Sequence, residues 1–334
     1  MTDKTAIQAD MLYNRIQKRF RHLKKWAKRI ETDAFRLYDR DIPEIPLLID
    51  YYGQGVSGAL YQRPYEKDEA EERRWLEAMT RAISAALDLS ESRVFLKERK
   101  RQRGNDQYQK LKDAHITHQI HEGGLVFQVN LSDYLDTGLF LDRRKLRAVL
   151  RQAAGGKRVL NLFSYTCSFS VYAAAGGAAE IDSVDLSNTY LGWGKRNFEL
   201  NRLESSIVSG YTKTGLFPYR LIAAEADCFL TQAIKDRRTW DIIILDPPSF
   251  SNSKKMSGAL DIRRDYKRLI SQSLGVLDKE GTLWFSVNAK HFYLNPSDFP
   301  DLHIENLQSL ILDEDFKGKK IPSCYKIQKK IPCF

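Results

Sequence analysis

The chain has 334 residues, with 53 Lys and Arg against 43 Asp and Glu, and a formal charge of +10. At about 100 to 200 residues per domain, this length predicts about two domains. Hydrophobic residues make up 43% of the chain, enough to bury a real core, which excludes wholesale disorder. No apolar run approaches the roughly 18 residues that span a bilayer, and we find no signal-peptide core, CxxC pair or disulfide pattern. We therefore expect a cytoplasmic protein with no membrane partner.

The positive charge is concentrated in two segments. Residues 10–30 carry a net +7 and residues 97–112 a net +5, which leaves the rest of the chain near −2. Two basic segments on a near-neutral body predict a surface for a polyanion, although both could be merely solvated faces. The residues predicted to bind RNA are Arg15, Lys18, Arg19, Lys24, Lys25, Lys28, Arg29, Arg99, Lys100, Arg101 and Arg103.

The N-terminal region reads as a helix followed by a small α+β domain. Apolar residues recur at three- and four-residue steps from Leu12 to Ile30, which predicts a basic amphipathic helix within residues 1–34. Residues 35–130 are predicted to form the small domain, with a loop at Lys97–Lys112 and a hairpin around Glu122-Gly123-Gly124. Its predicted strands and helix are Phe35–Tyr38, Leu47–Tyr52, Val56–Tyr61, Glu66–Leu87 (helix) and Arg93–Lys97.

From residue 131 to residue 334 the pattern changes to strands that alternate with helices. The segment Asp241–Leu245 (DIIIL) is too continuously apolar for a strand with one solvated face. This alternation predicts an α/β fold with a parallel, doubly wound sheet. The other predicted elements are strands at Arg158–Phe163, Ile181–Asp185, Leu221–Ala224 and Thr282–Val287, and helices ending at Ala175 or spanning Asn188–Asn201 and Tyr266–Leu277.

The predicted ligand crevice lies beyond the carboxyl ends of these strands. The first strand runs into NLFSYTC (Asn161–Cys167), which lacks the glycines of a dinucleotide-binding loop or a P-loop. The second strand ends in Asp185, which can hold a ribose diol or simply cap a helix. Asp227 and Cys228 follow the third strand.

The most specific motif is Asp246-Pro247-Pro248-Ser249-Phe250, directly after the DIIIL strand. Two prolines end the strand abruptly and hold the chain extended. The Asp246 carboxylate and nearby carbonyls then form a row of acceptors, which suits the N–H donors of a nucleobase. Phe250 or Tyr165 is available to stack on that base.

This series resembles the class I S-adenosylmethionine-dependent methyltransferases. The resemblance implies a Rossmann-like, seven-stranded, mostly parallel sheet and S-adenosylmethionine as the cofactor. The loop after the first strand would wrap around the methionine part of the cofactor. Asp185 would hold the ribose, and Asp227 would contact the adenine. Implied cofactor-binding residues are Asp142, Arg144, Asn161, Phe163, Ser164, Tyr165, Thr166, Cys167, Asp185, Leu186, Ser187, Asp227, Cys228 and Asp246.

Longer motifs narrow the resemblance. The stretch from Asp133 to Asp142 (DYLDTGLFLD), followed by Arg144, is similar to the signature of bacterial 23S rRNA large-subunit methyltransferases. DPPSFSNSKKM (Asp246–Met256) is most similar to their guanine-N7 branch, which in many bacteria is the C-terminal half of a bifunctional enzyme. The implied partner is 23S rRNA or a large-subunit precursor rather than DNA, with a second methyltransferase module wherever the chain is part of a longer protein.

The resemblance also implies a mechanism. Guanine N7 offers a lone pair and bears no hydrogen, so its methylation requires alignment and no general base. Asp246 and the two proline carbonyls would accept from the N1/N2 edge of the base, and Arg144 would meet the methionine carboxylate. The implied catalytic residues are Asp246, Pro247, Pro248, Ser249 and Asn288.

Alternatives stay open at this point. Guanine-N2 transfer also suits the Asp-Pro-Pro motif, and a non-catalytic RNA-binding assembly factor would fit if Cys167 marks a degraded loop. The family usually has glycine at that position, so Cys167 would be strained wherever φ must be positive. Cytosine-C5 transfer is disfavoured because no cysteine stands near Asn288. His115, His118 and His121 lack the further ligands of a tetrahedral site, so we predict no metal.

Overall fold

The computed structural model describes residues 3–61, 68–99, 116–134, 136–212, 217–252, 258–289, 291–319 and 321–330. The chain divides into two compact units, the first formed by Met1–Leu141 with Glu314–Lys319 and the second by Asp142–Asp313 with Lys320–Phe334. None of the helices in these ranges is long and apolar enough to cross a bilayer. The first unit therefore contains both the leading helix and the small α+β region that the sequence analysis treated separately.

The first unit is built on a four-stranded sheet of order β1-β2-β3-β4, in which only β3 and β4 run parallel. Its apolar core joins Leu12 and Ile16 of the first helix to Phe35 of the sheet and Trp75 of the second helix. The elements are α1 (Lys4–Arg29), β1 (Ala34–Asp39), β2 (Leu47–Tyr52), β3 (Gly55–Tyr61), α2 (Glu69–Leu87), β4 (Val94–Arg99), β5 (Thr117–Glu122) and β6 (Leu125–Asn130).

Local chemistry explains where these elements begin and turn. The Asp3 carboxylate accepts from the Thr5 N–H at 2.9 Å and caps α1. The β5–β6 hairpin turns at Gly123 (φ 59°) and Gly124 (φ 76°), so two consecutive left-handed positions are occupied by glycine. The predicted leading helix and hairpin are confirmed. The predicted start of the loop at residue 97 is wrong because β4 continues to residue 99, and residues 100–115 lie outside the described ranges.

A distant segment, Glu314–Lys319, completes the first unit, and we call it the C-terminal strap. The Asp315 carboxylate accepts the backbone N–H of Arg36 at 3.0 Å. The Arg36 guanidinium lies 4.9 Å from the centre of the Phe316 ring, and Lys319 forms an ion pair with Asp41. Polar pairs and a cation–π contact thus bind the strap to β1 and to the chain that follows it.

The second unit is an α/β domain with an eight-stranded sheet of order β15-β16-β14-β11-β7-β8-β10-β9. Six neighbouring strands are parallel, and β16 and β15 join antiparallel at one side. The elements are α3 (Arg144–Ala153), β7 (Arg158–Leu162), α4 (Ser168–Ala175), β8 (Glu180–Asp185), α5 (Asn188–Leu200), β9 (Ser206–Ser209), β10 (Tyr219–Ala223), α6 (Ala226–Lys235), β11 (Trp240–Leu245), β12 (Phe250–Ser251), β13 (Leu260–Asp261), α7 (Ile262–Gly275), β14 (Leu277–Val287), β15 (Leu302–Asn306) and β16 (Ser323–Lys329).

The predicted fold class is confirmed, with eight strands in the sheet where seven were expected. The side chains of β11 from Ile242 to Leu245 are buried, as its unbroken apolar run requires. Near the amino ends of the strands, Asp182 is 1% exposed and accepts two hydrogen bonds from Arg220, at 2.7 and 2.9 Å. Trp240 donates a third at 3.0 Å. This buried network links three strands near their amino ends, at the edge of the sheet opposite the carboxyl ends that carry the motifs.

Candidate active site

The loop after β7 has an unusual backbone. Three of its residues, Phe163, Tyr165 and Cys167, have φ of 57°, 50° and 60°, although none is glycine. The Ser164 N–H donates to the Val184 carbonyl at 3.0 Å, which ties the loop to the neighbouring strand. Such conformations persist only where the surroundings fix them, and they concentrate at functional sites. The structure therefore presents a rigid loop at the carboxyl edge of the sheet.

Cys167 is buried at the N-cap position of α4, with φ in the left-handed region that favours glycine. Its side chain occupies space left by Gly194 of α5, where an added Cβ would lie 2.5 Å from the Cys167 Sγ. Burial raises the pKa of the Cys167 thiol to about 12, so the sulfur stays protonated at neutral pH. This residue is a packing element of the loop and not a nucleophile.

Asn161, a predicted cofactor-binding residue, has a side chain that is hydrogen-bonded inside the domain. Its side chain is 1% exposed, and its amide donates to the Ser170 hydroxyl at 2.9 Å. Ser183 of β8 donates to the same hydroxyl at 2.7 Å. The Asn161 amide therefore fastens the start of α4 to the sheet, and its predicted contact with the cofactor stays a prediction.

Asp185 lies at the end of β8, directly beside the β7 loop. One carboxylate oxygen accepts from the Tyr165 N–H at 2.8 Å and the other from the Ser187 N–H at 2.9 Å. Burial raises the pKa of Asp185 to about 6, and these backbone hydrogen bonds oppose part of that shift. The Leu186 N–H also interacts with this carboxylate, which has about four acceptor sites in all, so it can still accept from a ligand hydroxyl.

The third predicted acidic residue, Asp227, lies in the first turn of α6, where it forms an ion pair with Arg268 of α7. The neighbouring Cys228 is exposed, and its Sγ lies 3.4 Å from a Glu225 oxygen. An adenine that reached Asp227 would have to share this carboxylate with the guanidinium. The predicted adenine contact of Asp227 and Cys228 therefore stays a prediction.

Asp246 is held by a residue that the sequence analysis missed. Nε and Nη2 of Arg143 donate to its two oxygens at 3.1 and 2.9 Å, and Nη1 of Arg143 lies 3.1 Å from Asp142. Burial alone would lower the pKa of Arg143, but the charges of Asp246 and Asp142 raise it above its usual value. We call this set of three side chains the Arg143 clamp. The carboxylate that was predicted to face the base is thus already paired on one edge.

Arg144 has a partner that its predicted role did not include. Its buried guanidinium donates to Asp313 at 2.9 Å, and its predicted contact with the methionine carboxylate stays a prediction. The Oδ1 of Asp142 is buried and has no hydrogen-bond partner among the described residues, and the predicted role of Asp142 in cofactor binding also stays a prediction. A buried acceptor without a donor is costly, so an ammonium or hydroxyl group of a ligand would stabilise this site.

The remaining motif residues gather at the ends of β11 and β14. The Ser249 hydroxyl donates to the Asn288 carbonyl at 2.8 Å, which brings two predicted catalytic residues together. Pro247 is buried, while Asn288 and Phe250 are exposed, the latter by 48%. Tyr165 packs edge-on against Tyr190 with ring centres 4.6 Å apart, so Phe250 is the more accessible of the two predicted stacking rings.

The predicted RNA-binding residues of the first unit fall into three groups. Arg15 pairs with Asp41 at 2.7 Å, and Arg19 donates to the Asp315 carbonyl at 3.4 Å, so both contribute to the unit's own structure. Of Arg99 only the backbone is described, and Lys100, Arg101 and Arg103 lie outside the described ranges. The other five predicted residues are exposed on α1. Together with the exposed Arg21, which was not predicted, they form what we call the α1 basic face: Lys18, Arg21, Lys24, Lys25, Lys28 and Arg29.

The site chemistry fits S-adenosylmethionine. Asp185 offers acceptors for the ribose, and the unpartnered Asp142 oxygen offers one for the methionine ammonium. The left-handed loop from Phe163 to Cys167 lies at the same edge of the sheet. Within the described ranges, no three His, Cys, Asp or Glu side chains are grouped to hold a metal ion.

Comparison with known proteins identifies methyltransferases as relatives of this chain. A family model of S-adenosylmethionine-dependent methyltransferases matches residues 34–307. The chain is 43% identical to ribosomal RNA large subunit methyltransferase K of Neisseria meningitidis, covering 95% of this chain and 86% of that protein. It is 44% identical to ribosomal RNA large subunit methyltransferase K/L of Saccharophagus degradans, covering 96% of this chain but 42% of that protein. The chain thus spans less than half the length of this K/L relative.

Solved structures agree with this result. A protein designated as a methyltransferase and complexed with SAH is 26% identical, with a TM-score of 0.71 over 96% of this chain and 81% of that one. A protein from Streptococcus mutans, designated as an S-adenosylmethionine-dependent methyltransferase, gives the same values.

Proposed function

This chain belongs to the S-adenosylmethionine-dependent methyltransferase family, and on that premise we propose that it methylates N7 of a guanine in 23S rRNA. Its cofactor is S-adenosylmethionine, which supplies an activated methyl group on a sulfonium sulfur. The family that the motifs suggested is thereby confirmed. The relatives named as ribosomal RNA large subunit methyltransferases support rRNA as the substrate.

The observation that carries the proposal is the arrangement around Asp246. A carboxylate, two consecutive proline carbonyls and the Ser249–Asn288 pair lie at the ends of adjacent parallel strands, with an exposed Phe250 beside them. The Asp246 carboxylate and the proline carbonyls are acceptors that suit the N1/N2 edge of an unstacked guanine, and Phe250 offers a surface on which the base can stack. Guanine binding at this edge is therefore the function that the second unit supports best.

The same groups fit N7 chemistry. N7 attacks with its own lone pair, so the protein has only to align the base and exclude water. Methylation places a positive charge on the guanine ring, and acceptors at the N1/N2 edge bind that cation better than the neutral base. Asp246 and the carbonyls of Pro247 and Pro248 would therefore favour the transition state over the ground state.

The α1 basic face supplies a complementary surface for the RNA backbone. Its six exposed cations lie on one helix whose opposite side is buried in the core of the first unit. Lys and Arg contacts to phosphate give affinity without sequence specificity. In this proposal α1 contributes to RNA affinity, while the Asp246 motif selects the base.

Mapping of N7-methylguanine in rRNA tests the proposal. Borohydride and aniline cleave RNA at N7-methylguanine, so rRNA from a deletion strain should lack one cleavage product that the wild type gives. Wild-type protein should restore the product, and Asp246→Ala or the isosteric Asp246→Asn should not. Both variants should still bind SAH in calorimetry, because Asp246 acts on the base in this proposal.

Three outcomes contradict the proposal. An unchanged cleavage pattern in the deletion strain would exclude N7 as the target. Loss of an N2-methylguanine instead would assign the exocyclic amine, for which the acceptors at Asp246 are also suitable. Equal loss of SAH binding and methylation in Asp246→Asn would place this carboxylate in the cofactor site.

A further inference from the structure

We propose that Arg143 is a positioning residue for methyl transfer, which acts by fixing the Asp246 carboxylate and with it the start of the base-binding loop. The inference rests on the proposed function, because it concerns how the same site holds its guanine. Neither the motif resemblance nor the predicted site includes Arg143, whose place in the site follows from the contacts alone.

Arg143 makes contacts with all three nitrogens of its guanidinium group. Nε and Nη2 bind the two Asp246 oxygens in a fork, and Nη1 binds Asp142. The Arg143 side chain is 7% exposed and that of Asp246 12%, so little water competes for these bonds. A bidentate guanidinium–carboxylate pair fixes the plane of both groups, which a single lysine ammonium cannot do.

The loop after β11 needs this anchor because of its own sequence. Pro247 and Pro248 have no backbone N–H, so the chain between β11 and Ser249 lacks two of the donors that usually tie a loop to its surroundings. Beyond them, Ser249 donates to the Asn288 carbonyl at 2.8 Å and accepts from the Ile262 N–H at 3.2 Å. The Arg143 fork fixes the first end of this short loop, and Ser249 fixes the other.

The charge of the clamp suits the reaction. During transfer the C–S bond breaks with its electron pair staying on sulfur, while the N7 lone pair forms the new C–N bond. One positive charge thus moves from sulfonium to guanine. The clamp holds two carboxylates against one guanidinium, and this excess negative charge stays in place as the cation forms next to it. Without Arg143 the Asp246 carboxylate would lose the fork that fixes its plane.

A set of variants with a matched control tests the proposal. We expect Arg143→Ala to lower kcat for large-subunit rRNA by about 10- to 100-fold, with KM for RNA and for S-adenosylmethionine changed by less than about 3-fold. Arg143→Lys keeps the charge but loses the fork, so its kcat should lie between those of the wild type and Arg143→Ala. In an Asp246→Asn background, whose residual rate is followed in single turnovers with excess enzyme, Arg143→Ala should have almost no further effect, because it acts through that carboxylate.

Arg158→Ala is the control. Arg158 also bridges two carboxylates, Asp241 and Asp278, at 2.8 and 3.2 Å, but at the amino end of β7. Its replacement should leave kcat unchanged. A second readout that needs no RNA is amide hydrogen exchange at Ser249 and Phe250, which should accelerate in Arg143→Ala and not in Arg158→Ala. Should Arg143→Ala fail to fold, Arg143→Lys and Arg143→Gln give the same comparison.

The outcomes separate this inference from the proposed function. Independent, multiplying losses in the Arg143/Asp246 pair, or unchanged exchange of the loop in Arg143→Ala, would overturn the positioning role. A wild-type protein that fails to methylate guanine N7 in rRNA would overturn the proposed function, and the exchange measurement would still decide whether Arg143 holds the loop.

Discussion

Gly194→Ala tests how closely α5 packs on the cofactor loop. In a helix interior, alanine usually stabilises a protein by about 1 kcal/mol relative to glycine. At Gly194, however, the added Cβ would lie 2.5 Å from the Sγ and 3.0 Å from the Cβ of Cys167, which is buried and fixed at φ 60°. Overpacking of this kind costs about 1 to 3 kcal/mol. We therefore expect Gly194→Ala to be about 1 kcal/mol less stable than the wild type.

Two comparisons isolate the contact. Gly192 lies in the same helix, and a Cβ there would meet nothing within 4 Å, so Gly192→Ala should gain about 1 kcal/mol. Cys167→Gly removes both clashing atoms and suits the left-handed backbone, so Gly194→Ala should become stabilising in that background. The expected coupling between positions 167 and 194 is about 2 kcal/mol.

The assay is urea unfolding of the four proteins of the cycle and of Gly192→Ala, with SAH affinity measured by calorimetry alongside. A displaced loop should weaken SAH binding in Gly194→Ala and recover in the double variant. The reasoning is refuted if Gly194→Ala is as stable as Gly192→Ala, or if its effect is the same with and without the Cys167 side chain.

Three further predictions concern other parts of the molecule. Burial raises the pKa of Asp185 to about 6, so the free energy of unfolding should decrease as pH rises from about 4 to 6 and the carboxyl ionises. SAH affinity, in contrast, should fall as pH drops below 6. Calorimetry from pH 5 to 8 measures this affinity, and Asp185→Asn should flatten its pH profile. Neutralising the α1 basic face with glutamine should reduce the slope of log K for RNA against log salt by about 4 to 5 and leave SAH affinity unchanged; unchanged RNA affinity would show that this face is merely solvated. Asp182→Ala leaves the buried Arg220 without its carboxylate and should cost about 3 to 5 kcal/mol in urea unfolding, and a loss below 1 kcal/mol would contradict the network described above.

The sequence predicted the helices and strands in which apolar residues repeat at a regular spacing or in which turn residues mark an end. The apolar steps in α1 and the glycine pair after β5 depend on neighbours in the chain, and both were located correctly. The unbroken apolar run of β11 likewise marked a central strand. In contrast, β15 alternates weakly and is mostly exposed, and β9 has four residues, so neither gave a clear period.

The site was predicted by position more than by contact. The residue types at the strand ends indicated which loops matter, because topology alone brings those ends together. Which side chains pair with each other depends on the folded geometry, and no periodic pattern in the sequence indicates such pairs. Arg143 lies 103 positions from Asp246. The motif resemblance includes only its neighbour Arg144, which was predicted to meet the methionine carboxylate. A run of two arginines beside Asp142 was the one signal that could have indicated the clamp.

The C-terminal strap limits how this protein can be dissected. A fragment that ends at Leu141 would leave the Arg36 N–H without its acceptor and Asp41 without its lysine partner, because both come from Glu314–Lys319. The first unit is therefore not a separable module despite its own sheet and core. A synthetic peptide of the strap, added to that fragment in trans, should raise the thermal stability of the fragment by complementation. A version of the protein made as two fragments would need the strap on the same fragment as the sheet that the strap completes.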